Sequence, residues 1–98
     1  MVIRRTQSRP LKDIIEEVFR SSGIDRKLKE RELVRQWDEV VGITVARSTD
    51  SIYISDRKLF VKVRSAIIRN ELQMIREGLR LELNRRIGET LIDEVIIR

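Results

Sequence analysis

Leu11, Ile14, Ile15, Val18 and Phe19 fall at i, i+3, i+4, i+7 and i+8. That spacing draws one apolar stripe and predicts a helix from about 9 to 21. Ser8 is placed to cap it. Pro10 sits in its first turn, where a missing N–H costs nothing, and Gly23 supplies the left-handed residue that ends it. Asp25 is placed to cap a second helix, and Leu28 opens that helix's buried stripe. Arg26, Lys27, Lys29, Glu30, Arg31 and Glu32 make its solvated side. Leu33, Trp37 and Val41 carry the stripe on, flanked by Val34 and Val40. The only tryptophan is therefore expected to be the largest core side chain, an exposed stacking tryptophan being the alternative. Gly42 ends or bends this helix. Ile43, Val45 and Ala46 predict one more turn, with a stop at Ser48-Thr49-Asp50.

The period then changes from 3.6 to 2. Ile52-Tyr53-Ile54 and the run from Leu59 to Arg64 alternate and are rich in β-formers. A two-residue loop at Asp56-Arg57 pairs Ile54 with Leu59 and Ile52 with Val61 on the core face. The same register sets Tyr53 opposite Phe60 on the other face, with Lys58, Lys62 and Arg64. Arg57 stands where such a turn favours glycine, so the turn type stays open. Ser65 caps a third helix whose face is Ile68, Leu72, Ile75, Leu79 and Leu83; Gly78 inside it marks a kink or a break. Gly88 ends the helix, and residues 91–97 close the chain as a third strand. The order is α-α-β-β-α-β. It predicts a single small α+β domain over residues 10–98, a three-stranded sheet packed against helices, behind a basic flexible arm at residues 1–9.

Composition narrows the chemistry. The chain has 98 residues, 41% hydrophobic and 38% charged, which describes one folded domain with a highly charged surface. It holds no cysteine and no histidine. Disulfides and thiolate metal sites are excluded, and the commonest general base and metal ligand are missing. No glycine-flanked elbow serine and no Walker-type phosphate loop is present. Asp93 and Glu94 are adjacent in a strand and point to opposite faces, and Asp13, Glu16 and Glu17 form a charged helix side. No enzyme and no cofactor is expected. No apolar run reaches the ~20 residues of a membrane span, and Met1-Val2-Ile3-Arg4-Arg5 lacks the apolar stretch of a signal peptide. A cytoplasmic location is the expectation.

The formal net charge is +5 and the isoelectric point about 10.2, which favours an acidic partner, nucleic acid first. Between Arg57 and Asn70 the chain carries five positive charges and no negative one: Arg57, Lys58, Lys62, Arg64 and Arg69. Arg69, Arg76 and Arg80 step by 7 and 4, which puts them on one side of the third helix. Arg4, Arg5, Arg9 and Lys12 precede the first acid, Asp13. Cations of this kind suit phosphates, and Tyr53 and Phe60 suit the stacking of single-stranded bases. The plainer alternative is a solvated sheet face whose aromatic pair only stabilises the hairpin.

Trp37-Asp38-Glu39-Val40-Val41-Gly42, then Val45-Ala46 and Thr49, form the first part of a longer pattern. Leu59-x-Val61-x-Val63, Glu71-Leu72 and Asn84-Arg85-Arg86-Ile87-Gly88 complete it. Together these resemble the bacterial DciA-type proteins, the replicative helicase operators or loaders, over roughly residues 10–98. The resemblance implies a KH-like domain and a role in DNA replication through the replicative helicase and single-stranded DNA. Ile43 departs from the family's usual proline, Arg57 replaces a turn glycine, and no KH-type Gly-x-x-Gly loop is present, so KH-style clamping of nucleotides does not carry over. Larger members have an additional disordered tail; helicase contact that depends on it would be lost here or moved to the N-terminal arm. Two further readings stand beside this one: a protein-interaction domain whose basic surface meets an acidic partner, and an RNA-binding KH-like protein.

Overall fold

The computed structural model describes residues 10–98. Ser8 and the arginines at 4, 5 and 9 lie outside them. Eight elements follow in order: α1 (Leu11–Ser22), α2 (Ile24–Val41), α3 (Ile43–Ser48), β1 (Thr49–Ser55), β2 (Lys58–Val63), α4 (Ala66–Met74), α5 (Arg76–Ile87) and β3 (Glu94–Ile97). The strands form one sheet in the order β1-β2-β3, with β1 antiparallel and β3 parallel to β2. The fold is α+β, and its order, α-α-α-β-β-α-α-β, is the expected α-α-β-β-α-β with the second and third helices each divided in two.

The hairpin register is the one the alternation requires: Ile54 opposite Leu59, Tyr53 opposite Phe60, Ile52 opposite Val61. Asp56 and Arg57 both take positive φ, 52° and 61°, which is the mirror-image turn that matches strand twist. Leu59, Val61, Val63, Val95 and Ile97 face the helices and are buried with Leu33, Trp37, Leu72, Leu79 and Leu83. Trp37 is 1% exposed. Its Nε1–H donates to Thr49 Oγ1 at 3.1 Å, and the Thr49 hydroxyl donates in turn to the Val45 carbonyl at 2.9 Å. The indole thus fixes the corner where α3 passes into β1. Gly42, at φ 86° and ψ 170°, separates α2 from α3.

Several expectations need correction. The break in the third predicted helix falls at Ile75 (φ −110°, ψ 16°) and not at Gly78, which is an ordinary residue of α5. Ile75 N–H closes a tight turn onto Leu72 O at 3.2 Å, and Gln73 Nε2–H is drawn to the Ile97 carbonyl at 2.9 Å. Packing against β3 therefore decides where the helix stops, against local propensity. Asp25 does not cap α2. Gly23 is the N-cap at φ 83°, and Asp25 sits in the first turn paired with Lys29 at 3.3 Å. Pro10 is itself the N-cap of α1, its carbonyl accepting from Asp13 N at 3.0 Å. The last strand begins at Glu94, not at Leu91. Leu91 and Ile92 are fully buried in the loop before it.

The largest departure concerns α1. Its five stripe residues are 40–70% exposed, and Ile24 and Leu28 of α2 are exposed beside them. Helical spacing reports that a face is apolar; it does not report what covers that face.

Two outcomes follow. Trp37→Ala should destabilise the domain by about 3–5 kcal/mol, read from chemical denaturation; a variant that unfolds at the wild-type midpoint would remove Trp37 from the core. Deleting residues 1–22 should leave the same midpoint nearly unchanged, because α1 buries no residue.

Candidate nucleic-acid interface

The helices pack on one face of the sheet, and the other face is open. That outer face holds Tyr53 from β1, Lys58, Phe60 and Lys62 from β2, and Glu94 and Ile96 from β3 with Arg98 just beyond it, by the parity of the two registers; Glu94 lies opposite Lys58. Tyr53 is 45% exposed, Phe60 is half-buried and Lys62 is exposed. The two rings stack with centroids 5.0 Å apart and planes 12° apart. The Arg98 guanidinium lies 5.1 Å from the Phe60 centroid and donates to the Tyr53 hydroxyl at 3.0 Å. Phe60 already has an aromatic ring and a cation against it. Tyr53 is the ring with surface left to receive a base.

The remaining predicted cations divide by what they touch. Lys58 stays near the turn, 3.9 Å from Asp56. Arg64 donates to the Arg47 carbonyl and faces Asp50 at 3.4 Å. Arg47, Arg64, Thr44, Ser48 and Ser65 line a shallow cleft of about 500 Å³ beside the hairpin. Arg47 and Arg98 extend the positive surface, and the charge count over residues 57–70 could not include either.

Arg57 is engaged elsewhere. It grips both oxygens of Asp93 at 2.8 and 2.9 Å and donates to the Thr90 carbonyl at 2.8 Å, while its own carbonyl accepts from Asp93 N at 2.7 Å. Asp93 is held below the usual carboxylate range by this hydrogen-bonded guanidinium. Arg69 turns under the end of β2, donating to the Val63 carbonyl at 2.8 Å, with its Nε buried and unpartnered. The break at Ile75 separates Arg69 from Arg76 and Arg80, so the three do not form one helix side. Arg76 donates to Gln73 and Arg80 to Glu77. Lys12 is exposed on α1. The structure therefore brings together Tyr53, Phe60, Lys58, Lys62 and Arg64, and it leaves Arg57, Arg69, Arg76, Arg80 and Lys12 outside that group.

The charge pattern places Lys27 and Arg31 on a solvated helix side and gives Arg35 no role, yet the three stand together. They line a groove of about 500 Å³ between α2 and β1. Their i, i+4, i+8 spacing was the available signal.

Most other charges are paired. Arg86 bridges Glu39, Gln36 and Glu82, and Arg85 also donates to Glu82. The two guanidinium partners push the Glu82 carboxyl down to about 2. Among the described residues no group of three His, Cys, Asp or Glu could hold a metal ion, and no helix is long and apolar enough to cross a membrane.

The chain is a small α+β domain whose open sheet face carries two aromatic rings and several cations. The family model described as "Dna[CI] antecedent, DciA" matches residues 10–97, and the chain belongs to that family. No curated protein and no solved structure matches the chain.

Asp93, Glu77 and Glu82 are all held low by arginine partners. A carboxyl with a depressed folded pKa contributes stability above its unfolded value, and loses it as pH falls through the folded one. The melting temperature should therefore fall as pH drops from the ordinary glutamate value of 4.5 to about 2. Glu82→Gln should flatten the lower part of that fall. An unchanged acid limb in that variant would remove Glu82 from the account.

Proposed function

We propose that this chain is a non-enzymatic module of DNA replication that binds single-stranded DNA on the outer face of its sheet and associates with the replicative helicase. Family membership supports the association with the helicase. The observation that carries the DNA reading is the uncovered Tyr53–Phe60 stack beside Lys62. Aromatic faces accept any base, and lysines beside them follow the phosphates without fixing a sequence. Arg47 and Arg64 would continue the phosphate path past the end of β2. The arm at residues 1–9, with Arg4, Arg5 and Arg9, would add affinity and no sequence preference. The working location is the cytoplasm, where the replicative helicase operates.

Titration against labelled single-stranded and duplex DNA of equal length, at several salt concentrations, tests this. Tyr53→Ala should cost about 1–3 kcal/mol for the single strand and less for the duplex. Lys62→Ala should lower the single-strand salt slope by about 0.7. Intact single-strand affinity in both variants, with the fold retained, would overturn the outer-face reading. Co-sedimentation with the replicative helicase tests the second half independently.

A further inference from the structure

β1 is an edge strand, and its free edge has a direction. The two-residue turn makes Ser55 and Lys58 the hydrogen-bonded pair that closes the hairpin, so Tyr53 and Phe60 are the next such pair. The other side of β2 confirms the parity: Val63 N–H donates to Arg98 O at 2.7 Å, and Val61 O accepts from Arg98 N at 2.8 Å. Ile52 and Ile54 therefore turn their N–H and C=O groups away from the sheet. No hydrogen bond to another element meets them among the described residues. An uncovered row of this kind is a template for an added strand.

The groove of about 500 Å³ lies along this edge, with Ile52, Tyr53 and Ile54 on one wall and Lys27, Arg31 and Arg35 on the other. The one acid in the lining, Glu30, is bound to Arg26 at 3.2 Å. Arg35 is paired with Glu32 at 3.3 Å, whereas Lys27 and Arg31 have no ion-pair partner among the described residues. Cations four apart on a helix repeat every ~6 Å. Alternate side chains of a strand repeat every ~6.8 Å. A strand running along α2 would thus present one side chain in two to each cation in turn.

We propose that this groove takes an extended acidic segment of a partner protein, which adds to β1 as a fourth strand and sets alternate carboxylates against Lys27, Arg31 and Arg35. Main-chain bonds to Ile52 and Ile54 supply affinity, and the cationic wall selects for acidic side chains. A nucleic acid strand would satisfy the cations but has no repeating N–H and C=O to complete the edge. Tyr53 borders both this groove and the outer face, but the strand addition stands on the main chain of Ile52 and Ile54 and on the α2 cations, so it does not depend on the DNA reading.

The probes are a labelled decapeptide alternating threonine and glutamate, the same peptide with lysine for glutamate, and a ten-nucleotide thymidine strand. The glutamate peptide should bind and the lysine peptide should not. Bound glutamate peptide should slow hydrogen exchange at the Ile52 and Ile54 amides of the full chain. Lys27→Glu with Arg31→Glu should weaken the glutamate peptide by about tenfold or more, a change of roughly 1.4 kcal/mol, and the thymidine strand far less. Absence of glutamate-peptide binding, or binding without protection of the two amides, overturns strand addition. A double variant that loses the thymidine strand and keeps the peptide would assign the groove to nucleic acid instead.

Discussion

The side chain of Asn84 holds the last part of the fold in place. Its Oδ1 accepts from Leu91 N and Ile92 N at 2.9 and 3.0 Å, and its Nδ2 donates to the Ile92 carbonyl at 2.9 Å. Leu91 and Ile92 are buried but belong to no strand, so the sheet cannot satisfy their backbone groups. A buried N–H or C=O left unpaired costs about 1–3 kcal/mol; the Asn84 amide meets both backbone groups of Ile92 and shares the Leu91 N–H with the Glu89 carbonyl at 3.0 Å. Arg26 takes the Leu91 carbonyl at 2.9 Å, and Lys29 holds Glu89 at 2.6 Å, so α2 secures the same loop from the other side. β3 can then run parallel to β2, which requires the long crossover through α4 and α5. The outer face inherits Arg98, and with it the cation over Phe60, from this placement.

The hairpin was legible because a strand has only two faces. Alternation between apolar and polar residues settles the register once the loop length is known, and the pairing of Tyr53 with Phe60 followed. Trp37 was legible because its stripe neighbours are apolar on both sides. Ile75 was not legible as a break, since tertiary packing and a bond from Gln73 to Ile97 act there, and Gly78 is the stronger local signal. The exposure of Leu28 and the α1 stripe was hidden for a related reason: amphipathicity is a property of one helix, and burial needs two. Arg57 and Arg69 looked like surface charge because their acceptors lie on distant or backbone groups that a charge count does not see. The α2 cations were read as solvated because β1 comes beside them only in three dimensions.

Charge is distributed unevenly over the molecule as a result. On α5, Arg80, Arg85 and Arg86 are matched by Glu77, Glu82 and Glu39, so that side contributes little net field. Lys62 and Arg47 on one flank of the hairpin, and Lys27 and Arg31 on the other, appear in no described ion pair. Three of the formal +5, at Arg4, Arg5 and Arg9, fall outside the described residues; among the described ones the unpaired cations flank β1 and β2, and a diffusing anion would be drawn there.

The turn at Asp56 and Arg57 places two non-glycine residues in left-handed backbone, each at a cost of roughly 1–2 kcal/mol. Arg57 offsets that cost through Asp93 and Thr90, thirty-six and thirty-three residues further along the chain. The hairpin is the most local pairing in the sheet, yet its turn is made favourable by a contact that exists only after β3 has docked. It is poorly suited to act as a folding nucleus. A thirty-six-residue loop must close before the two-residue turn is offset, so the hairpin's stability is tied to a non-local contact, the kind that loop-closure entropy makes slow to form.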